Sequence, residues 1–388
     1  MINLLFGATF FSHLHALSFI PQHNRPLLLL FFPIALIFCY RYKVRFNYNL
    51  LLSICTFFFI IIGSFLFNLF YGEFDLYFRE IVLRVLSYLV LFYFFFVGTI
   101  FWQNRKLISD KFYTFFIVVG IVQIYSILKL PFSNLFIYFF DNHLIKSFAS
   151  VSDRVLFFEA EPSYVAFLII FLMVIFEHKN NFLWLFFSIL TFSIRTTIIS
   201  LMYYIKNHPF IYGFIIIASL SFFLSKTQLS YSVYYRTKAL ITFQTVDPSS
   251  YIRLVKNKIK IQMIKDNPIF GVGPGQYSTY YTGKYLIEYN TRGQKELESA
   301  LLEKSKSEDP YSFILGLAAE LGLIGLIAFT LAYYYLFKHS KRKYLLLLIL
   351  LILFWGYPFG KPYIWILLGY IYQEYKNNEI NELFLSYA

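Results

Sequence analysis

The chain has 388 residues and a net charge of +13, yet 59% of its residues are hydrophobic and only 14% are charged. A soluble domain carries about 25% charged residues, so an ordinary soluble enzyme is excluded and an all-α polytopic membrane protein is implied. The positive charge does not argue for nucleic acid, because cytoplasmic loops of membrane proteins collect Lys and Arg; no nucleic-acid partner is expected.

Aromatic residues make up 23% of the chain, with 50 Phe and 34 Tyr, a composition suited to lipid-facing helices and interfacial belts. The two cysteines, Cys39 and Cys55, fall in apolar runs without CxxC spacing, which gives neither a disulfide framework nor a metal site. The seven histidines form no HExxH or clustered pattern, and there is no DxD pair. No metal and no cofactor are expected.

In chain order, stretches of the length a membrane helix needs, or somewhat shorter, occur at 3–20, 27–40, 49–71, 81–101, 112–130, 162–177, 182–194, 196–206, 210–225, 311–336, 344–357 and 361–373. This predicts about 10–12 transmembrane helices. The first run lacks a basic flank and a small-residue cleavage site, so it reads as a retained helix. Dense basic clusters at 41–45, 105–111 and 338–343 place those loops in the cytoplasm. The segments 72–80, 131–161 and 226–310 then lie outside. That orientation requires 182–206 to form two short helices hinged near Ser193-Ile194-Arg195.

Three parts follow: an N-terminal transmembrane bundle (1–225), an extracytoplasmic loop domain (226–310), and C-terminal transmembrane helices with a short cytoplasmic tail (311–388). The loop domain holds 13 Lys/Arg against 8 Asp/Glu. Within it, 252–265 reads as an amphipathic helix, with Ile252, Val255, Ile259 and Met263 on one face and Arg253, Lys256 and Lys260 on another. Its basic face suits either anionic membrane lipids or a ligand.

Three segments carry candidate chemistry. In Phe157-Phe158-Glu159-Ala160-Glu161-Pro162-Ser163-Tyr164, two carboxylates precede a proline placed to open a helix. Glu161 suits a helix cap or, facing a wet cavity, a group acting on a hydroxyl. Arg154, just upstream, suits a phosphate contact or an ion pair. In Asn267-Pro268-Ile269-Phe270-Gly271-Val272-Gly273-Pro274-Gly275-Gln276-Tyr277, clustered glycines permit positive φ and close backbone approach, and free amides in such a turn suit phosphate. Asp309-Pro310-Tyr311-Ser312 leads into Ala319-Glu320-Leu321-Gly322-Leu323-Ile324-Gly325. Glu320 falls about two turns inside a membrane helix and needs a cation there; Arg84 and Arg195 are the candidates.

Taken in order, EPSY before a helix, a Ser-x-Arg hinge, Arg253 ahead of NPIFGVGPGQ, and AELGLIG in the next helix resemble the superfamily of O-antigen polymerases (Wzy-type) and O-antigen ligases over residues 150–335. The resemblance implies a GT-C-like, metal-independent glycosyltransferase of the bacterial plasma membrane. Such an enzyme moves a glycan from undecaprenyl pyrophosphate on the outer face. Its implied partners are the lipid-linked oligosaccharide, membrane lipids and a chain-length regulator. Ligases of the superfamily carry His-Asn where this chain has Tyr311-Ser312, which favours a polymerase; a ligase and a flippase of lipid-linked sugars are the alternatives. The resemblance implies Glu161 or Asp309 as proton acceptor and Arg253 as a catalytic cation. Arg154, Arg195, Arg84, Gly273, Gly275, Tyr277 and Tyr311 are implied around the pyrophosphate and sugar, with Glu320 in a structural ion pair or helix.

Overall fold

The computed structural model describes residues 9, 29–44, 46–71, 78–127, 131, 162–177, 181–190, 194–207, 248–276, 312–355 and 362–386. They are 88% helical and contain no strand. In chain order the helices are α1 (Phe32–Arg41), α2 (Tyr48–Tyr71), α3 (Phe78–Gln103), α4 (Arg105–Ile127), α5 (Pro162–Ile175), α6 (Asn181–Leu190), α7 (Ile194–Asn207), α8 (Pro248–Asp266), α9 (Phe313–His339), α10 (Lys343–Trp355) and α11 (Pro362–Ser386). The chain is an all-α polytopic membrane protein. Among the described residues, three segments are long and apolar enough to cross a membrane: Tyr48–Phe67, Arg84–Gln103 and Phe313–His339. Five more apolar helices run 10–17 residues. The expected spans at 3–20, where only Thr9 is described, and at 210–225 lie outside the described residues.

Hydrophobicity sorts the helices by depth. α5 is apolar all round, and every residue from Val165 to Phe176 is buried, as expected of a helix enclosed by its neighbours. It opens on Pro162, where the fixed φ and missing N–H of proline cost nothing. Residues 182–206 fold as two helices, α6 and α7, packed side by side with Thr197 Oγ1 donating to Ser188 O at 3.3 Å. α2 instead leaves Leu51, Leu52, Phe59, Leu66, Phe67 and Phe70 exposed along its length, a surface suited to lipid.

The tightest helix pair is α3 with α11. A Cβ placed on Gly98 would lie 2.0 Å from Ile366 O, and one on Gly369 would lie 2.0 Å from Phe95 O. Two backbones therefore touch where each sequence supplies its smallest residue, the membrane solution for close approach. At one end of the bundle Arg342, in the turn between α9 and α10, fastens three elements. Its Nη1 donates to Glu177 Oε2 at 2.8 Å, and its Nε and Nη2 donate to Glu374 at 2.5 and 2.9 Å.

α8 corrects the amphipathic reading of 252–265. Ile259 and Met263 are buried as expected, but so are Lys256 and Lys260, while Lys258, Ile261 and Lys265 are exposed. Positions 256, 259, 260 and 263 form one stripe at helical spacing, and α8 packs against α9. Lysine stems bury along apolar surface, so two of the three supposed lipid-facing cations turn inward.

Candidate functional site

α9 begins cleanly and then breaks. Ser312 sits in an extended conformation and its Oγ accepts the N–H of Leu315 at 3.4 Å, a capping arrangement that satisfies one orphan donor of the first turn. Ten residues after Ser312, Gly322 leaves helical geometry with φ 68° and ψ −171°.

The break is filled by residues 267–276. In an unbroken helix Leu323 N–H would donate to Ala319 O, and Ile324 N–H to Glu320 O. Here Leu323 N–H donates to Pro268 O at 2.8 Å and Ile324 N–H to Ile269 O at 3.5 Å. The released carbonyls of Ala319 and Glu320 accept from Val272 N–H and Gly273 N–H, both at 2.9 Å. Turn and helix thus exchange backbone partners, which is how irregular backbone survives inside an apolar bundle. Ser64 Oγ on α2 bridges the junction, donating to Phe270 O at 2.9 Å and approaching Glu320 O at 3.4 Å.

Glycine is required on both sides of this junction. Gly271 and Gly322 both have φ +68°; a Cβ on Gly322 would lie 2.0 Å from Ile269 O, and one on Gly271 would lie 2.5 Å from Gly322 N. No side chain fits either position.

Glu320 stands beside the break and is 1% exposed. Its Oε1 accepts from Arg84 Nη2 at 3.0 Å; its Oε2 accepts from Arg84 Nε at 3.3 Å and from Tyr88 OH at 2.6 Å. Arg84 and Tyr88 are four residues apart on α3 and therefore share a face, and the guanidinium lies 5.9 Å from the Tyr88 ring centroid. A forked guanidinium on a carboxylate is the strong form of the ion pair. With three donors on its two oxygens, Glu320 is committed to joining α3 to α9.

Lys260 reaches the same neighbourhood from α8. It is fully buried and its Nζ donates to Asn257 Oδ1 at 2.9 Å. Burial, with the nearby Lys256 charge and against a partial offset from Glu320, pulls its pKa down to about 7. Arg84 is paired with Glu320, while buried Lys260 interacts electrostatically with both Glu320 and buried Lys256, so basic side chains exceed carboxylates among these described residues and favour an incoming anion.

Of the residues proposed from sequence, Arg84, Glu320, Gly273 and Gly275 meet here. Arg253 is placed by the backbone of α8, one turn before Lys256, and Arg195 by that of α7; their side chains lie outside the described residues, as do Glu161, Asp309, Arg154, Tyr277 and Tyr311. Sequence reasoning missed Tyr88, Ser64 and the inward turn of Lys256 and Lys260. The signal for Tyr88 was its i+4 spacing from Arg84, and for the lysines their spacing of three residues before Ile259 and Met263.

Both segments of the junction, the glycine turn and the broken helix, fall inside a match to a known family model, that of O-antigen ligase, over residues 156–330. Residues 156–330 are therefore similar to the O-antigen ligase family. This supports the resemblance to the superfamily of O-antigen polymerases and ligases. No curated protein matches the chain. The matched stretch opens six residues before α5 and closes within α9, so it spans the docked turn, the buried lysines and Glu320; Arg84 and Tyr88 come from outside it.

Proposed function

We propose that the protein is a repeat-unit polymerase, transferring a growing glycan from undecaprenyl pyrophosphate to a new lipid-linked repeat on the outer face of the bacterial plasma membrane. The match to the O-antigen ligase family supports an enzyme acting on glycans. The observation that carries the choice of polymerase is Tyr311-Ser312 at the start of α9, where ligases of the superfamily have His-Asn. Ser312 is here a helix cap, a structural duty.

The chemistry is a displacement. The acceptor hydroxyl oxygen bonds to the anomeric carbon of the donor glycan, and the bond from that carbon to the pyrophosphate oxygen breaks. The hydroxyl proton passes to a carboxylate, Glu161 or Asp309, and the electron pair leaves on the pyrophosphate. Fixed cations stabilise the charge developing there. Arg253, Arg195 and Arg154 fill that role best because guanidinium meets phosphate bidentately, and buried Lys256 and Lys260 add positive potential behind them. GT-C-like, metal-free chemistry needs nothing further, since both substrates are already held in the membrane plane.

Transfer to lipid A core or another acceptor, the ligase reaction, is the second reading, compatible with the same family match. Deleting the gene and resolving surface polysaccharide on a gel separates the two. A polymerase loss leaves single repeats on the acceptor and no ladder, whereas loss of all attached glycan would establish the ligase.

A further inference from the structure

The glycine turn ends on a side chain that the backbone exchange does not explain. Gly273, Pro274, Gly275 and Gln276 form a tight turn in which Gln276 N–H donates to Gly273 O at 3.2 Å. Proline at the second position and φ +80° at Gly275 in the third make it type II. The turn is anchored at its first residue, since Gly273 N–H holds Glu320 O. Its last residue, Gln276, is 1% exposed, and both Oε1 and Nε2 lack a hydrogen-bond partner among the described residues.

A carboxamide offers two donors on nitrogen and an acceptor on oxygen. Burying both ends unbonded is costly, and a native structure keeps such a group where something else completes it. Pro274 fixes its own φ and the Gly273 N–H bond anchors the start of the turn, so the backbone that carries Gln276 is held in place. A phosphate at neutral pH presents acceptors to this group, which suits Nε2 and leaves Oε1 facing an oxygen. A sugar hydroxyl both donates and accepts, so hydroxyls satisfy both ends.

We propose that Gln276 is a sugar-binding residue, its Nε2 donating to one glycan hydroxyl oxygen and its Oε1 accepting from a hydroxyl of the same saccharide. This rests on the reading of the site as a glycan-transferring one, and divides the labour within it. Lys256 and Lys260 of α8 supply positive potential for the charged lipid carrier, while the end of the type II turn reads the neutral sugar one tight turn away from Glu320.

The test uses the full-length protein in detergent and Gln276→Met, which keeps the side-chain length without the amide. The probes are the repeat-unit oligosaccharide released by mild acid from wild-type surface polysaccharide, and inorganic pyrophosphate. The oligosaccharide should raise the melting temperature of the wild type. Its half-saturation should weaken about 10- to 100-fold in Gln276→Met, while any pyrophosphate shift stays the same. With no ligand, Gln276→Met should melt at or above the wild-type temperature, because an orphan amide has been removed. Three results would each overturn the proposal: no oligosaccharide shift in the wild type, an equal shift in Gln276→Met, or a variant that selectively loses the pyrophosphate shift. If Gln276→Met melts lower without ligand, the amide is bonded within the protein and the proposal also falls. The polymer ladder of the deletion strain stands apart: an unchanged ladder removes the polymerase reading and leaves the oligosaccharide result to decide Gln276.

Discussion

Arg84 and Glu320 are 236 positions apart in the chain, yet their side chains meet at 3.0 Å with 6% and 1% exposure. An ion pair so enclosed gives little net stability against an apolar pair of the same shape, but removing one member strands the other. Arg84→Ala and Glu320→Ala should each cost about 3–5 kcal/mol. The double substitution Arg84→Met with Glu320→Leu should cost less than the sum. Chemical unfolding in detergent measures this; strictly additive losses would mean the two do not act as a pair.

The junction between turn and helix makes a sharper demand. Gly322→Ala and Gly271→Ala each place a Cβ within 2.6 Å of backbone at a positive φ. Strain of that kind costs about 1–3 kcal/mol before the collision is counted. Both variants should lower the yield of folded protein in membranes, whereas Gly63→Ala, with nothing within 4 Å of its new Cβ, should match wild type. Yield is read by size-exclusion fluorescence of tagged protein.

At α8 the expectation concerns charge geometry. Arg253→Lys keeps the charge and loses the fork that pairs with phosphate. Removing one charge-stabilising donor typically lowers a rate about 10²–10³-fold, so the polymer ladder should nearly vanish at matched protein level. Lys258→Ala, on the exposed side of the same helix, should leave it intact. A normal ladder from Arg253→Lys would remove that residue from catalysis.

Lys260 gives the protein a pH signature. Its pKa is lowered to about 7 in the fold, while an unfolded lysine titrates near 10.4. Between those values the unfolded chain binds more protons, so stability rises with pH across that window. Below about pH 7 the folded lysine is charged too and the slope disappears. Lys260→Met should flatten the rise between about pH 7 and 10; denaturant midpoints at stepped pH report it.

Topology is checked by cysteine labelling of intact cells, after Cys55, the exposed native thiol among the described residues, is replaced. Lys258→Cys should react with a membrane-impermeant maleimide and Lys341→Cys should not, both positions being exposed in the fold. The opposite pattern would invert the orientation.

Much of the helical framework was legible because apolar length and proline positions are local properties. Pro162 opens α5, and α6 and α7 are separate helices ending at Leu190 and starting at Ile194, while the expected hinge residue Ser193 lies outside the described residues. The site was legible only in outline. Glycines in 271–275 announced a tight turn and Glu320 announced a need for a cation, but nothing local says that the turn belongs inside α9. That pairing depends on backbone partners about 50 residues apart in the chain and on two glycines that meet face to face. The lysines of α8 misled for a related reason. Charge suggested an outward face, while packing against α9 turned 256, 259, 260 and 263 inward together.

The exchange of backbone partners between the turn and α9 sets an order of events in biogenesis. The turn leaves the ribosome before α9, so it must wait, formed or unformed, until its receptor is in the bilayer. α9 in turn enters with the amides of Leu323 and Ile324 and the carbonyls of Ala319 and Glu320 lacking the partners they have in the finished fold. A straight α9 pairs these groups with one another, whereas a span broken at Gly322 without the turn leaves them unsatisfied in hydrocarbon at several kcal/mol each, so newly inserted α9 stays straight until the turn arrives. Seating the turn then converts one helix into two fixed halves and, in the same step, brings Gly273 against Glu320. A straight α9 therefore marks a chain whose turn has not docked, and a broken α9 one in which the site is already assembled.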